Sequence, residues 1–282
     1  MTLLADSKSY SMIDVFPGDD HRRAETFHNW SKLNRTNAAD LGRRIAAIVR
    51  NPGILRMMSR SWKSYEGYPT IPLPRAGLGD VRLEDAIQGR RSLTTARKTY
   101  SGAPIDLEDL AAVLLHSYGV TGADDNPYFP GEKLYWRASP SAGGLHPLEI
   151  YPVVFDVNGL PSGIYHYRVV DHSLEVLSQR DPKEGFFQTV SDPTLGAGAS
   201  VVLVITGVIR RTLTKYLFRG YRFAMTDAGA LLQNLYLTSQ GRGLGYCPIG
   251  GFYDDDLGRL IGIDNVDEHA LVCFSMGRVA DD

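Results

Sequence analysis

Two neighbouring side chains, Lys215 and Tyr216, are of the types that move protons. A lysine accepts a proton only after it has lost its own, and burial or nearby cations favour that neutral form. Arg219 and Arg222 follow closely and could supply the repulsion, while the tyrosine hydroxyl could share the proton. On local sequence alone, a surface lysine beside a half-buried tyrosine is the simpler interpretation.

A loop rich in small residues could hold a flat ligand. It lies in the segment R-A-S-P-S-A-G-G-L-H-P-L-E-I-Y, from Arg137 to Tyr151. Small residues let a ring approach the backbone, and successive N–H groups can face ring carbonyls. A simple turn before a strand would need only Gly143 and Gly144. A lone His146 is more often a structural hydrogen-bonding residue than a catalyst.

Three shorter segments could bind an anion or a ring. G-R-R-S, from Gly89 to Ser92, offers two guanidiniums and a hydroxyl to a phosphate, although a basic helix C-terminus is the common alternative. C-P-I-G-G-F, from Cys247 to Phe252, allows close approach to a ring or forms a plain loop. Arg278 follows the last strand and could reach a phosphate. Neither G-x-G-x-x-G nor a P-loop pattern occurs, which argues against a Rossmann or P-loop site.

Composition limits the classes of protein that need considering. The 282 residues allow two domains or one large one, and 43% apolar with 22% charged residues is ordinary for a globular chain. A net charge of −2 gives no global attraction to nucleic acid or anionic lipid, so a phosphate site must be local. Two cysteines make no disulfide framework, and no spacing indicates a metal site. No signal or membrane segment is evident, so we predict a cytoplasmic protein without nucleic-acid or membrane partners.

The first 75 residues differ from the rest. They are rich in polar residues, and apolar positions three and four apart predict one helix over Ala38 to Val49. The Pro-rich stretch from Pro69 to Arg75 predicts an extended connector, because proline disfavours helix before it. We therefore predict an N-terminal extension over 1–75 and a core domain over 76–282.

The core alternates helix and strand signals, which favours an α+β fold. Helices are predicted at Leu83 to Gln88, stopped by Gly89, and at Met225 to Gln240, ended by Gly241 or Gly243. Pro104 opens a further segment with helical spacing, shown by Leu107, Leu110, Val113 and Leu114. Buried strands are predicted at Ile150 to Phe155 and Ser200 to Thr206, a half-exposed strand at Gly163 to Arg168, and a further strand at Ala270 to Met276.

The order of these motifs resembles the nitroreductase superfamily. The motifs are R-R-S, P-S-A-G-G-L-H-P-L-E-I-Y, K-Y-x-x-R-x-Y-R, D-A-G, Q-N-L-Y-L, C-P-I-G-G-F and M-G-R. More narrowly, they are similar to its SagB-type branch, the FMN-dependent azoline dehydrogenases of thiazole- and oxazole-modified peptide biosynthesis. The resemblance covers about residues 78–279, and Phe27 to Arg35 is similar to the leader region that precedes the domain in this branch.

This resemblance implies an α+β fold, with a mixed central sheet flanked by helices, in an intertwined homodimer with FMN at the interface. By position, it implies that the FMN phosphate is bound by Arg90, Arg91, Ser92 and Arg278. The isoalloxazine would be lined, from the other subunit, by Pro140, Ser141, Ala142 and Gly143. Gly250 and Gly251 would lie near its reactive edge, and Asn234 would be a flavin or structural contact.

Lys215 and Tyr216 match the pair that the branch uses for proton abstraction, and hydride would pass to FMN N5. The implied reaction converts thiazoline or oxazoline to the azole in a peptide or carrier-bound substrate, beside a cyclodehydratase or synthetase partner. An NAD(P)H-dependent nitroreductase or quinone reductase and another peptide desaturase are alternatives. A non-catalytic flavin-binding scaffold subunit is the alternative from a different class.

Five positions depart from the family patterns. Arg97 stands later than the arginine that usually follows R-R-S, which could move one phosphate contact. Gly144 and His146 replace Asn and Gln of the nitroreductase form, which favours the SagB-type branch. Ala230 follows D-A-G where the branch often has histidine, and Leu217 replaces the frequent glycine of K-Y-G, which we expect to narrow the pocket.

Overall fold

The computed structural model describes residues 22–93 and 98–280. Arg97 therefore lies outside the described residues. The helices are α1 (Arg22–Trp30), α2 (Ala38–Val49), α3 (Pro52–Ser59), α4 (Leu83–Gly89), α5 (Leu107–Tyr118), α6 (Lys183–Thr189), α7 (Arg210–Tyr216), α8 (Arg219–Gly241) and α9 (Asp254–Ile261). The strands are β1 (Thr70–Pro72), β2 (Ile105–Asp106), β3 (Val120–Asp125), β4 (Lys133–Arg137), β5 (Leu148–Val154), β6 (Val157–Asn158), β7 (Gly163–Arg168), β8 (Ser173–Ser178), β9 (Val201–Val208), β10 (Gly245–Ile249) and β11 (Glu268–Gly277).

A seven-stranded sheet in the order β1-β8-β7-β5-β9-β11-β10 forms the centre of the molecule. Every pair in that sheet is antiparallel. The sequence led us to expect both parallel and antiparallel pairing. The parallel pair, β2 with β6, lies outside the central sheet in a separate two-stranded ladder. Strands β3 and β4 form a further antiparallel hairpin.

Strand β9 separates two hydrophobic cores. Its side chains alternate between them, so Leu203 faces one core and Val204 the other, which explains why the run is apolar throughout. Helices α5 and α8 cover the first core, and α6 and α9 cover the second. Helices on both faces of the sheet confirm the predicted α+β class.

Helix α8 is the longest element, with 23 residues. It ends at Gly241, one of the two predicted stops, and buries Leu231 and Leu235 against the sheet. At its start it lies very close to α7, since a Cβ on Gly220 would come within 2.5 Å of the Thr212 backbone. This long buried helix positions most of the candidate site.

Strand β7 has the predicted bounds, but the prediction that it is half-exposed was wrong. Tyr165 and Tyr167 are fully buried, because their side chains face the first hydrophobic core. His166, which gave the segment its polar character, is buried between the carboxylates of Glu149 and Glu175 at 3.2 and 2.7 Å. Ion pairing rather than solvent satisfies that side chain.

The first 75 residues contribute to the central sheet. Helix α2 has the predicted bounds. The predicted connector Pro69–Arg75 is extended, and its Thr70–Pro72 pairs with β8 as the edge strand of the main sheet, while Leu73 enters the first core. The domain division at residue 75 stays a prediction. In the described ranges, no helix has both the length and the apolar character needed to cross a bilayer.

Candidate functional site

The loop after β4 and the end of α7 meet at Gly143. This residue has φ +65°, and a Cβ there would lie 2.4 Å from the Tyr216 hydroxyl and 2.9 Å from the Lys215 Nζ. Only glycine fits both the conformation and the space. The structure thus brings the predicted ring-lining loop and the predicted proton-transfer pair together in one chain.

Asp227 of α8 fixes the conformation of this loop through hydrogen bonds. Its carboxylate accepts hydrogen bonds from the Ser141 hydroxyl (2.6 Å) and the Ala142 amide (3.3 Å). The same hydroxyl accepts from the His146 amide at 2.8 Å. Burial raises the pKa of Asp227, and the two bonds it accepts oppose that change. We had not predicted a role for Asp227, although the D-A-G motif contains it.

Asn234 anchors the segment that precedes the loop. Its side-chain amide donates to the carbonyls of Ser117 and Ala138, both at 3.2 Å, and to the Ser139 hydroxyl at 2.9 Å. Of the two roles predicted for Asn234, the structure therefore displays the structural one. Pro140 is exposed at the start of the loop.

Arg90 and Ser92 come together at Tyr236 of α8. The Ser92 hydroxyl bonds to the tyrosine hydroxyl at 2.9 Å, and the Arg90 guanidinium lies over its ring at 4.7 Å. Within the described ranges, Arg90 forms no ion pair with a carboxylate. Arg91 instead donates to the carbonyls of Gln88 and Arg90 at the end of α4, as in the helix-terminus alternative.

Arg278 lies at the same end of the sheet. The segment after Arg90 contacts β10, because the Leu93 amide donates a hydrogen bond to the Tyr246 carbonyl. Strand β10 in turn pairs with the end of β11, which immediately precedes Arg278. The Arg278 guanidinium donates to Asp109 (2.7 Å), a buried carboxylate that sequence reasoning missed. The same guanidinium also contacts Asp106 at 3.2 Å, so carboxylates of the chain already balance its charge. The Arg90 guanidinium and the Ser92 hydroxyl are the donors that fit a phosphate.

The two groups of residues contact opposite sides of α8. At about 100° per residue, Asp227 and Asn234 share a face, whereas Tyr236 lies about 180° from Asp227. Gly250 and Gly251 follow the end of β10 that is remote from Arg278, and a Cβ on Gly250 would meet open space. A single chain therefore carries two separate groups of candidate residues, here called half-sites: the predicted phosphate donors on one side of α8 and the predicted proton-transfer pair on the other.

A cleft of about 450 Å³ opens beside Lys215 and Gly143. Its other walls come from α2, α3 and the residues just after them, and from the β3–β4 hairpin, which were not predicted to take part. Aromatic side chains, Trp62, Tyr128, Tyr135 and Trp136, line much of it. Leu217, expected to narrow this pocket, lies outside it and contributes to a separate cleft against α1 and α2.

His146 lies in the same cleft beside Arg137. Burial, with the nearby guanidiniums of Arg137 and Arg211, lowers the pKa of His146 to about 3. The imidazole is therefore neutral near pH 7. Arg219 and Arg222 donate to Ser31, the residue after α1, at its carbonyl and its hydroxyl respectively.

A protein-family model, described as the nitroreductase family, matches residues 87–278, which is more than half of the chain. The chain belongs to the nitroreductase family. This membership confirms the resemblance seen in the motifs. Nitroreductases are FMN-dependent oxidoreductases, so FMN is the cofactor, and the donors around Arg90 fit its phosphate.

Three curated relatives share this similarity. A Methanocaldococcus jannaschii protein named as a nitroreductase is 29% identical over 209 residues, 74% of this chain and 97% of that protein. The microcin B17-processing protein McbC of Escherichia coli is 26% identical over 152 residues, 52% of this chain and 56% of McbC. The trifolitoxin-processing protein TfxB of Rhizobium leguminosarum is 28% identical over 171 residues, 58% of this chain and 46% of TfxB. The chain thus spans about half the length of the two processing proteins.

Two solved structures show the same fold. A structure named for a nitroreductase of Anabaena variabilis has a TM-score of 0.67 and 24% identity, over 90% of this chain and 45% of that one. A chain of the Escherichia coli microcin synthetase McbBCD complex with truncated pro-MccB17 has a TM-score of 0.57 and 17% identity, over 98% of this chain and all of that one.

Proposed function

We propose that this protein is an FMN-dependent dehydrogenase that oxidises azoline rings, thiazoline or oxazoline, to azoles in a peptide-derived natural product. The observation that carries the proposal is the convergence of Lys215 and Tyr216 on Gly143. The pair lies against the loop that the resemblance assigns to the isoalloxazine. A ring seated in the adjoining cleft would therefore have a proton acceptor beside its carbon atoms.

The chemistry needs few groups from the protein. Oxidation of an azoline removes a proton from one ring carbon and a hydride from its neighbour, and bound FMN supplies the hydride acceptor. The Lys215 side chain, with the Tyr216 hydroxyl, is the proposed proton acceptor. Asp227 and Asn234 hold the loop in place from α8, so that the proton acceptors and the ring stay in register.

The names of two relatives support a peptide-derived substrate. Both the microcin B17-processing and the trifolitoxin-processing proteins act in the maturation that their names state. We extend this to the present chain as a proposal, with a peptide or carrier-bound azoline as substrate. A cyclodehydratase or synthetase subunit is the proposed partner, and a second copy of the chain is proposed to complete the flavin site.

Replacing Lys215 by alanine tests the base assignment. We expect Lys215→Ala to keep FMN, visible in its absorbance, while oxidation of a thiazoline substrate falls by about 100-fold or more. Lys183→Ala is the matched control, because Lys183 is exposed on α6, away from the loop. Undiminished turnover in Lys215→Ala would show that the assignment is wrong.

A second candidate is an NAD(P)H-dependent nitroreductase. The similarity to the archaeal protein named as a nitroreductase favours it, because the match covers 97% of that protein. Stopped-flow mixing with NADPH separates the two. Rapid bleaching of the flavin, with fast nitroarene reduction and no azoline oxidation, would select this candidate. Flavin that neither NADPH nor any azoline reduces would instead select the scaffold alternative.

A further inference from the structure

Arg137 is a buried cation that forms no ion pair with a carboxylate of the described residues. It is 9% exposed and lies at the end of β4, in the wall of the cleft that contains Lys215. Its Nη2 donates to the Ser61 carbonyl and its guanidinium stacks over the Tyr118 ring at 4.7 Å. Its Nε and Nη1 have no acceptor among residues 22–93 and 98–280. Burying an unpaired charge is costly, so such an arrangement favours a missing ligand.

Two more polar atoms in this cleft lack partners within the described ranges. They are Nδ1 of His146, which is 9% exposed, and Nδ2 of Asn126, which is 5% exposed. His146 and Arg137 both contact Tyr118. Asn126 lies at the tip of the β3–β4 hairpin, at the opposite end of β4 from Arg137. Buried polar atoms are nearly always hydrogen-bonded, so four unpaired atoms on three side chains of one cleft point to a bound molecule.

The buried carboxylate of Glu149 interacts with Arg137 electrostatically but accepts no hydrogen bond from it. Glu149 is buried behind the loop, where it pairs with Arg211 at 2.6 Å and with His166 at 3.2 Å. The negative charge of Glu149 is therefore already balanced by Arg211 and His166. The group that balances the Arg137 guanidinium must then come from outside these residues.

We propose that Arg137 binds a carboxylate of the substrate, so that the ring that reaches Lys215 carries a free acid. The choice of an azoline ring rests on the proposed function above. Arg137 and Lys215 line one cleft, and Trp62 and Tyr135 give it flat apolar walls suited to a ring. In an azoline inside a peptide, the corresponding carboxyl carbon is an amide without charge. The cleft therefore selects a C-terminal or free-standing azoline acid over an internal ring, and of the proposed substrates it disfavours the carrier-bound form, whose carboxyl carbon is an uncharged thioester.

Binding of two matched probes tests this selection. The probes are 2-phenylthiazoline-4-carboxylate and its N-methylamide, titrated calorimetrically, without oxygen, into the full chain loaded with FMN. We expect the acid to bind at least about tenfold more tightly than the amide, since an ionic hydrogen bond is lost in the amide. Arg137→Gln should remove that preference, and Arg180→Gln, at an exposed arginine, should keep it.

Equal binding of acid and amide to the unmodified protein, or no binding of the acid, would overturn the proposal even if azolines are oxidised. Acid-selective binding without oxidation would instead leave this site standing and remove the azoline function. If the Arg137→Gln protein does not bind FMN, or shows no cooperative thermal unfolding, the titrations are repeated with Arg137→Lys. The lysine keeps one positive charge, so a partial preference for the acid is expected there. The comparison of probes on the unmodified protein decides the matter without any variant.

Discussion

Asp227 is the residue on which the geometry of the ring-lining loop depends most directly. It is 6% exposed, and its two oxygens accept from consecutive residues of the loop, Ser141 and Ala142. Removing such an acceptor would leave two donors unpaired at a cost of about 1–3 kcal/mol each. The same burial that makes the carboxylate structurally valuable disfavours its charge, which is why its pKa is raised.

This raised pKa predicts a pH dependence of stability. When the folded-state pKa exceeds the unfolded-state value, ordinarily 3.8, the group stabilises the fold fully below that value and loses this contribution as pH rises through the folded-state pKa. Asp227→Asn cannot titrate. We therefore expect the free energy of unfolding of the wild type, relative to that of Asp227→Asn, to fall from pH 3.5 to neutral pH. The steepness of this fall corresponds to at most about one proton taken up on folding. Urea denaturation across this range measures it, and a constant difference would contradict it.

The junction between α7 and α8 positions the proton-transfer pair. Helix α7 ends at Tyr216, and Leu217 follows with φ +52° and ψ −145°, a backbone conformation that residues with a side chain rarely adopt. The chain then turns sharply, so that Gly220 can pack against Thr212. This turn directs Lys215 and Tyr216 towards Gly143. Glycine is common at the position of Leu217 in the related motif, and the positive φ gives the physical reason.

Leu217→Gly should therefore stabilise the protein. Relief of the strained backbone is worth about 1–3 kcal/mol, and the added freedom of glycine in the unfolded chain costs about 0.5–1 kcal/mol. We expect a net gain of about 1 kcal/mol, measured by chemical denaturation. The control Leu213→Gly, inside α7, should lose about 1 kcal/mol. A Leu217→Gly variant as unstable as the control would show that the junction is not strained.

At the scale of the whole molecule, the two half-sites lie on opposite faces of α8. The proposed phosphate donors Arg90 and Ser92 contact Tyr236, while the loop with Gly143 is held at Asp227. The long helix keeps these groups apart within one chain. A complete flavin site is therefore proposed to form between two copies, with phosphate donors from one chain and the loop from the other.

Mixed dimers test this arrangement. Arg90→Ala impairs the phosphate donors and Lys215→Ala impairs the base, so each homodimer should be inactive. Co-expression of the two variants would give mixed dimers with one intact site, and about a quarter of wild-type activity is expected for random pairing. Two different affinity tags isolate the mixed species. No recovery of activity would show that both groups act from the same chain.

The local pattern of the sequence was sufficient for several features. Apolar spacing gave the bounds of α2, glycine gave the end of α8, and a continuous apolar run predicted β9, because each depends on neighbours along the chain. The order of the motifs identified the nitroreductase family and, with it, FMN. These conclusions needed no knowledge of which distant segments touch.

The tertiary structure alone decided the rest. The partners of Asp227, the unpaired Arg137, the burial of His166 and the use of the β3–β4 hairpin as a cleft wall all depend on segments far apart in sequence. A polar residue has the same local pattern whether it meets solvent, a buried carboxylate or nothing. Its role is fixed only when packing removes water and determines which partner remains, and no spacing along the chain records that outcome.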